Sequence, residues 1–460
     1  METCTRGPAE RAREAERLRS FRTGFYRCLT GWADTAFELC DAALCAPAPI
    51  GSVPVLSLEP IFRRSHGSLY KALASGDVDA DAMRDLLAEH RPERWPLVFA
   101  VDASTWARCD AETSPERGYY YSASKHSAGK PIVAGWSYQW VTALDWANDS
   151  WTAPMDARRI PPRADATDVT VDQVRELVTR LGDTPGTPLF CFDAGYDPIA
   201  LTHELARVHT NIVVRIRHDR VFYTDPTPTS GVGRPRRHGD RFGLADPNTW
   251  PTPDAEHATT DARYGTVKVS AWHGLHTKLG RRGHWTDHHE LPIVTGTVIR
   301  VDVEHLPKPT SRTKKTLWLW AAGPDLDLDT CWRAYLRRFD IEHAFRFVKN
   351  TLGWTTPALR TPEQADRWTW LVVAAYTQLR LARGLVDDLR LPWERQRKPG
   401  RLTPARVRRG FRRLQPTLGT PASPPKIEDT RPRTPQRHPS PATNSLPSHQ
   451  KGRLTPGPTV

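Results

Sequence analysis

Two aspartates and one glutamate, widely separated in the chain, are the side chains best placed to do chemistry. The run Leu97 to Val101 is short, apolar and strand-like, and it ends at Asp102. Leu189 to Phe192 is a second such run, and it ends at Asp193. Carboxylates at strand ends of an α/β sheet face the crevice in which ligands bind. Taken singly, either aspartate could instead start a turn or cap a helix. Asp197, directly before Pro198, reads as the helix cap in its own stretch. That leaves Asp193 free for another task.

The third carboxylate is expected on a helix from Leu328 to about Leu352, where Tyr335, Arg338, Glu342 and Lys349 follow a Y-x2-R-x3-E-x6-K spacing. At about 100° per residue these four fall within a stripe about 60° wide and about 20 Å long. Arg346 lies near the same stripe. Trp332, Leu336, Phe339 and Phe347 make one apolar flank, and Ile341, Phe345 and Val348 the other. A polar stripe between two apolar flanks differs from a solvated helix face. The plainer reading is a surface ion-pair ladder, since Arg338 and Glu342 are spaced i, i+4.

Three carboxylates converging on one crevice would make a hard, oxygen-rich site suited to Mg2+ or Mn2+. Two such ions about 4 Å apart can activate a water and stabilise the leaving oxygen of a phosphodiester. Arginine and lysine alongside match phosphate oxygens. A tyrosine can hydrogen-bond a phosphate or stack on a base.

The elements that must position these groups can be read along the chain. Residues 1–92 carry helical periodicity, first over 8–46 and then in shorter pieces to His90. They suit either a small DNA-contacting bundle or a helical cap on the core. Residues 93–217 alternate apolar runs with a helix at Val169 to Arg180 and another at Pro198 to Val208. Residues 218–315 are rich in Pro, Gly, Arg and His, with strand-like stretches at 266–272 and 293–303, and read as a β-rich insertion. The core resumes over 316–392 with a strand at Leu317 to Ala321, the glutamate helix and a long helix from Pro362. Residues 393–460 are basic and Pro-rich, and from Gln415 onward contain no Phe, Tyr or Trp, which predicts disorder.

Composition sets the outer bounds. The net charge of +13 suits a partner that is a polyanion. The longest apolar runs are far too short to span a bilayer, and the N-terminus lacks the apolar segment of a signal peptide, so a cytoplasmic protein is expected. Seven cysteines show no C-x-x-C pair, which points to reduced thiols rather than a zinc finger. His284, His288 and His289 sit among arginines and read as a polar loop.

Residues 97–352 resemble the catalytic domain of bacterial insertion-sequence transposases of the DDE class. The Tyr335, Arg338, Glu342, Lys349 spacing is similar to the YREK signature of one large group of them. Asp193-Ala194-Gly195-Tyr196 resembles the D-x-G-Y/F block around their second aspartate. The resemblance implies an α/β, ribonuclease-H-like mixed-sheet core with a β-rich insertion. It implies that Asp102, Asp193 and Glu342 ligate two Mg2+ (or Mn2+) ions, while Tyr335, Arg338, Lys349 and Arg346 contact DNA. It further implies nicking at terminal inverted repeats, strand transfer into target DNA, a homodimer in the DNA complex and a nucleoid-associated, bacterial location. In that group an aromatic residue of the insertion can hold a flipped base, and Trp272 and Trp285 are the candidates. Two other readings stand beside this one: an inactive, transposase-derived DNA-binding protein, and a different ribonuclease-H-like nuclease.

Overall fold

The computed structural model describes residues 7–121, 131–147, 149–227, 235–306, 314–397 and 400–425. The chain begins with α1 (Pro8–Cys28), β1 (Leu29–Gly31) and α2 (Ala33–Cys45), then α3 (His66–Ser75), β2 (Asp77–Val78) and α4 (Ala80–Glu89). The helical periodicity expected over 8–46 is interrupted where β1 pairs with β2, and Trp32 turns the chain into α2 with a left-handed backbone, φ 56°.

The sheet that carries the site follows. Its strands are β3 (Val98–Ala107), β4 (Gly118–Tyr121), β5 (Ile132–Ala143) and β6 (Ala153–Ile160). Helix α5 (Ala166–Leu181) leads to β7 (Leu189–Phe192), and α6 (Pro198–Glu204) leads to β8 (Asn211–Arg215). The order β6-β5-β3-β7-β8 joins an antiparallel trio to two parallel strands. This is the ribonuclease-H-like arrangement.

The 218–315 region is β-rich, with β9 (Val221–Tyr223), β10 (Arg241–Gly243), β11 (Ala255–Asp261), β12 (Gly265–His276) and β13 (Thr295–Val303). These strands do not stand apart from the core sheet. β13 pairs with β14 (Thr316–Ala322), and β14 pairs with β8, so one hydrogen-bonded sheet runs from the aspartate strands into the insertion.

Alternation along the strands sorts side chains between two layers. Phe99, Val101, Phe190 and Phe192 pack with Val174 and Leu177 of α5 and Leu201 of α6. Val98, Ala100, Leu189 and Cys191 point the other way. There they join a core shared with α7 (Leu328–Arg337), α8 (Asp340–Asn350) and α9 (Pro362–Leu381). A two-residue period carried one step further puts Asp102 and Asp193 on that second face, toward α7 and α8.

The aromatic content of β3 and β5 supports those helices. Trp354, fully buried, meets Trp106, Tyr138, Trp140 and Phe345 at centroid distances of 5.0–6.3 Å, and its indole N–H donates to Thr369. Such pairs contribute about 0.5–1.5 kcal/mol each beyond area burial.

The N-terminal helices share this core. Arg22 of α1 is 2% exposed and forks onto Asp41 of α2 at 2.7 and 2.8 Å, with Gln378 of α9 accepting a third bond. The basic stretch after residue 393 contains a helix that the sequence reading did not assign. Pro404–Leu414 forms α10, with Val407 and Phe411 fully buried. Three of its five arginines have partners: Arg406 binds Asp388, Arg409 binds Glu394, and Arg408 donates to the carbonyls of Ala43 and Ala48. An amphipathic helix with two of its arginines paired to carboxylates folds where composition alone predicts a tail. The expectation of disorder otherwise falls on residues 426–460, outside the described residues.

Candidate active site

Asp102 does not end its strand, as the apolar run suggested. β3 continues to Ala107, and its continuation pairs with β5, Asp102 opposite Trp140. Pairing with β7 stops at Ala100 opposite Cys191. Extending that parallel register by two residues brings Asp102 level with Asp193, on strands about 4.8 Å apart. The edge of β3 is open there because β7 has ended. This is the crevice in which the first two carboxylates lie.

Asp193 is held by a local turn. Its Oδ1 accepts from the Gly195 amide at 2.7 Å. A Cβ at residue 195 would stand 3.0 Å from that same oxygen, so glycine gives the turn its room. Asp197 caps α6 as expected, accepting from Ile199 and Ala200. Tyr196 packs on Phe192 and donates to Gln139 Oε1 at 3.1 Å. Burial raises the pKa of its hydroxyl, and the charges of Asp102 and Asp193 raise it further.

The third carboxylate arrives from the opposite layer. The expected single helix is two, α7 and α8, with a turn at Arg338 and Phe339. Ile341 N–H donates to Arg338 and Glu342 N–H to Phe339, both i to i−3, so the chain winds more tightly there than a uniform α-helix. Two ion pairs pull at the junction: Arg337 on Asp340 at 2.6 Å, and Arg338 on Asp102 at 2.9 Å. Glu342 then lies in the first turn of α8, where the helix dipole favours a carboxylate. Phe339, expected on a buried flank, is 53% exposed, with its ring edge-on to His343.

Arg338 binds the group between these layers. One of its amines donates to Asp102 Oδ2, while Asp102 Oδ1 accepts from the Ala103 amide. Burial pushes the Asp102 carboxyl up to about 7; Arg338 pulls it down, and the charges of Glu342 and Asp193 push it up. The charges of both other carboxylates therefore bear on Asp102. Their oxygens do not lie within 4.8 Å of one another, so the shell is gathered but not closed. Crowded carboxylates of this kind fit a hard divalent cation, which relieves their mutual repulsion.

The remaining expected residues divide. Tyr335 is 8% exposed and faces Arg338, whose guanidinium carbon lies 5.8 Å from its ring centre. Lys349 lies two turns beyond Glu342, its ammonium 5.7 Å from the Trp354 ring centre and 6.0 Å from that of Phe345. Arg346 is exposed on α8. Trp272 and Trp285, candidates to hold a flipped base, are each 4% exposed. Trp272 donates to the Pro251 carbonyl, and Trp285 is packed among His203, His284 and His288, so neither offers a free ring face.

Elsewhere, Asp165, Asp168 and His284 bring three ligand-type atoms within 4.8 Å of one another, a grouping not anticipated from the sequence. Both aspartates are exposed, and Asp165 is engaged in capping α5. No described helix is long and apolar enough to cross a membrane.

Among curated proteins no sequence matches this chain. A family model described as a DDE superfamily endonuclease matches residues 24–278, more than half of the chain. The matched region contains Asp102 and Asp193 and stops before Glu342. Domains of this class use divalent metal ions and act on DNA. On this match, and with the ribonuclease-H-like sheet beneath the paired aspartates, the chain belongs to the DDE superfamily endonucleases.

Proposed function

We propose that the protein is a DDE transposase that cuts DNA at transposon ends and transfers the freed strand into target DNA. The observation that carries this reading is Asp102, paired with Arg338 and under the charges of both Asp193 and Glu342. Asp102, Asp193 and Glu342 are the ligands for two Mg2+ or Mn2+ ions. When bound, the ions supply Lewis acidity to the phosphodiester and lower the pKa of the attacking water or 3′-hydroxyl.

The chain's own residues do the positioning. The Gly195 amide fixes one oxygen of Asp193 and the Ala103 amide one oxygen of Asp102, so neither carboxylate rotates freely. Arg338 spends a single amine on Asp102, which leaves N–H donors of its planar fork for phosphate oxygens. Tyr335 orients Arg338 from behind. Lys349 and Arg346 extend the positive charge along α8 for the DNA backbone. Phe339, exposed between Arg338 and Glu342, presents an aromatic face to a neighbouring base. Joining two DNA ends requires both to be held together, which fits a homodimer on the DNA, in the bacterial cytoplasm and on the nucleoid.

The test is incubation of the purified chain with Mg2+ and DNA carrying the inverted repeats that flank its gene. Cleavage at the repeat boundary, lost in Asp193→Ala, supports the reading. Binding without cleavage identifies an inactive, transposase-derived DNA-binding protein instead. Cleavage indifferent to the repeats identifies another ribonuclease-H-like nuclease.

A further inference from the structure

The strand that leaves the carboxylates carries a second feature. β7 and β8 are parallel with Phe192 opposite Val214, so Arg215 stands beside Asp193 at the strand ends. Beyond it the chain reads Arg215-Ile216-Arg217-His218-Asp219-Arg220. Ile216 is buried, while Arg215 and Arg217 are exposed; extended backbone thus puts both arginines on one face.

Two adjoining hollows continue from that point. One, about 380 Å³, is lined by the Asp193 turn (Ala194 to Asp197) and by Arg217 and Arg220. The next, about 550 Å³, shares Asp197 and Arg220 and runs on to Lys278 and Arg282. Lys278 rests on the Tyr223 ring with its nitrogen 4.0 Å from the centroid, which holds its charge over the hollow.

The pairing pattern separates these cations from most others near the site. Arg333, Arg337 and Arg338 all sit on aspartates. Among the described residues, Arg215, Arg217, Arg220, Lys278 and Arg282 form no ion pair. Of the acidic groups lining the two hollows, Asp197 is committed to the amides of α6, leaving Asp219. Cations that form no ion pair, following one another along two adjoining hollows, complement a regularly charged polyanion.

We infer that Arg215, Arg217, Arg220, Lys278 and Arg282 form a track for the phosphodiester backbone of DNA, running from the carboxylate crevice over the β-rich insertion. The inference rests on the endonuclease reading above and adds to it the path by which DNA leaves the site. The contacts are to phosphates, so they are indifferent to base sequence.

The experiment compares wild type, the variant with Arg217→Ala, Arg220→Ala, Lys278→Ala and Arg282→Ala together, and Asp193→Ala. Binding of full-length protein to a labelled duplex is followed by fluorescence anisotropy across a salt series. One duplex carries the flanking repeat and another of equal length has random sequence. Each lost phosphate contact lowers the slope of log K against log salt by about 0.9, so the fourfold variant is expected to lose about 3 to 4 on both duplexes. If the fourfold variant does not melt like wild type, the four single variants replace it, each expected to lose about 1. An unchanged slope overturns the track. A slope that falls on the repeat duplex alone overturns its backbone character. Cleavage by Asp193→Ala at the wild-type rate overturns the endonuclease reading instead, and is distinguishable from both.

Discussion

The guanidinium of Arg338 lies 2.9 Å from the carboxylate of Asp102 and joins the two layers of the site. β3 supplies the aspartate and the α7–α8 junction supplies the arginine. Both side chains are 12% exposed, so the pair is shielded from bulk water. Replacement by Ala leaves Asp102 among two like charges with no counter-cation. Arg338→Ala is expected to lower metal-dependent cleavage by about a hundredfold or more, the cost of one preorganised charge in such a site. Single-turnover cleavage assays measure this. Arg338→Lys is expected to recover only part of the loss, since an ammonium cannot reproduce the planar fork.

Asp327 caps α7, the helix that leads into this junction. Its carboxylate accepts from the amide and hydroxyl of Thr330, and those bonds hold its pKa below the ordinary aspartate value. A depressed carboxylate contributes stability above its unfolded pKa, about 3.9, and that stability is lost as pH falls through the lower folded value. Asp327→Ala should therefore cost about 1 kcal/mol in urea denaturation at pH 7. The difference from wild type should shrink progressively below about pH 4. A gap that stays constant from pH 7 to pH 3 would contradict the cap's ionic character.

Asp41 and Arg22 test whether the N-terminal helices share the core of the sheet domain. Both side chains are 2% exposed. Asp41→Ala leaves a buried guanidinium with Gln378 and the Gly419 carbonyl as its remaining partners. The expected cost is about 3–5 kcal/mol. α1, α2, α9 and α10 are packed together, so tryptophan fluorescence and far-UV circular dichroism should report the same single shifted transition. An early transition confined to the N-terminal helices would show that they fold apart from the core.

The sequence reveals the aspartate strands because both are buried on two faces and read as unbroken apolar runs. Asp197 and Pro198 mark the start of α6 equally well, since a cap and a fixed φ act locally. β6 is missed for the opposite reason. It buries Asp156, whose charge is answered by Arg84 of α4 and Arg158, so the strand reads as a polar stretch. α10 is hidden in the same way, since Arg406 and Arg409 find their carboxylates on the preceding loop. The split between α7 and α8 is invisible to a helical wheel that assumes a constant turn per residue, and one of the ion pairs at the turn, Arg338 on Asp102, joins distant segments. Phe339 shows the consequence: its position on the wheel predicts burial, yet the turn leaves it exposed. The extension of the sheet through β14 and β13 also depends on partners that local patterning does not name.

If Asp102, Asp193 and Glu342 jointly hold divalent metal, a crystal of the full chain soaked in Mn2+ reveals it through anomalous scattering. Manganese is expected between β3, β7 and α8, with oxygens of all three carboxylates in its coordination shell and its occupancy lost in Glu342→Gln. Manganese only at Asp165, Asp168 and His284, or a Glu342 carboxylate turned away from an occupied site, would contradict it.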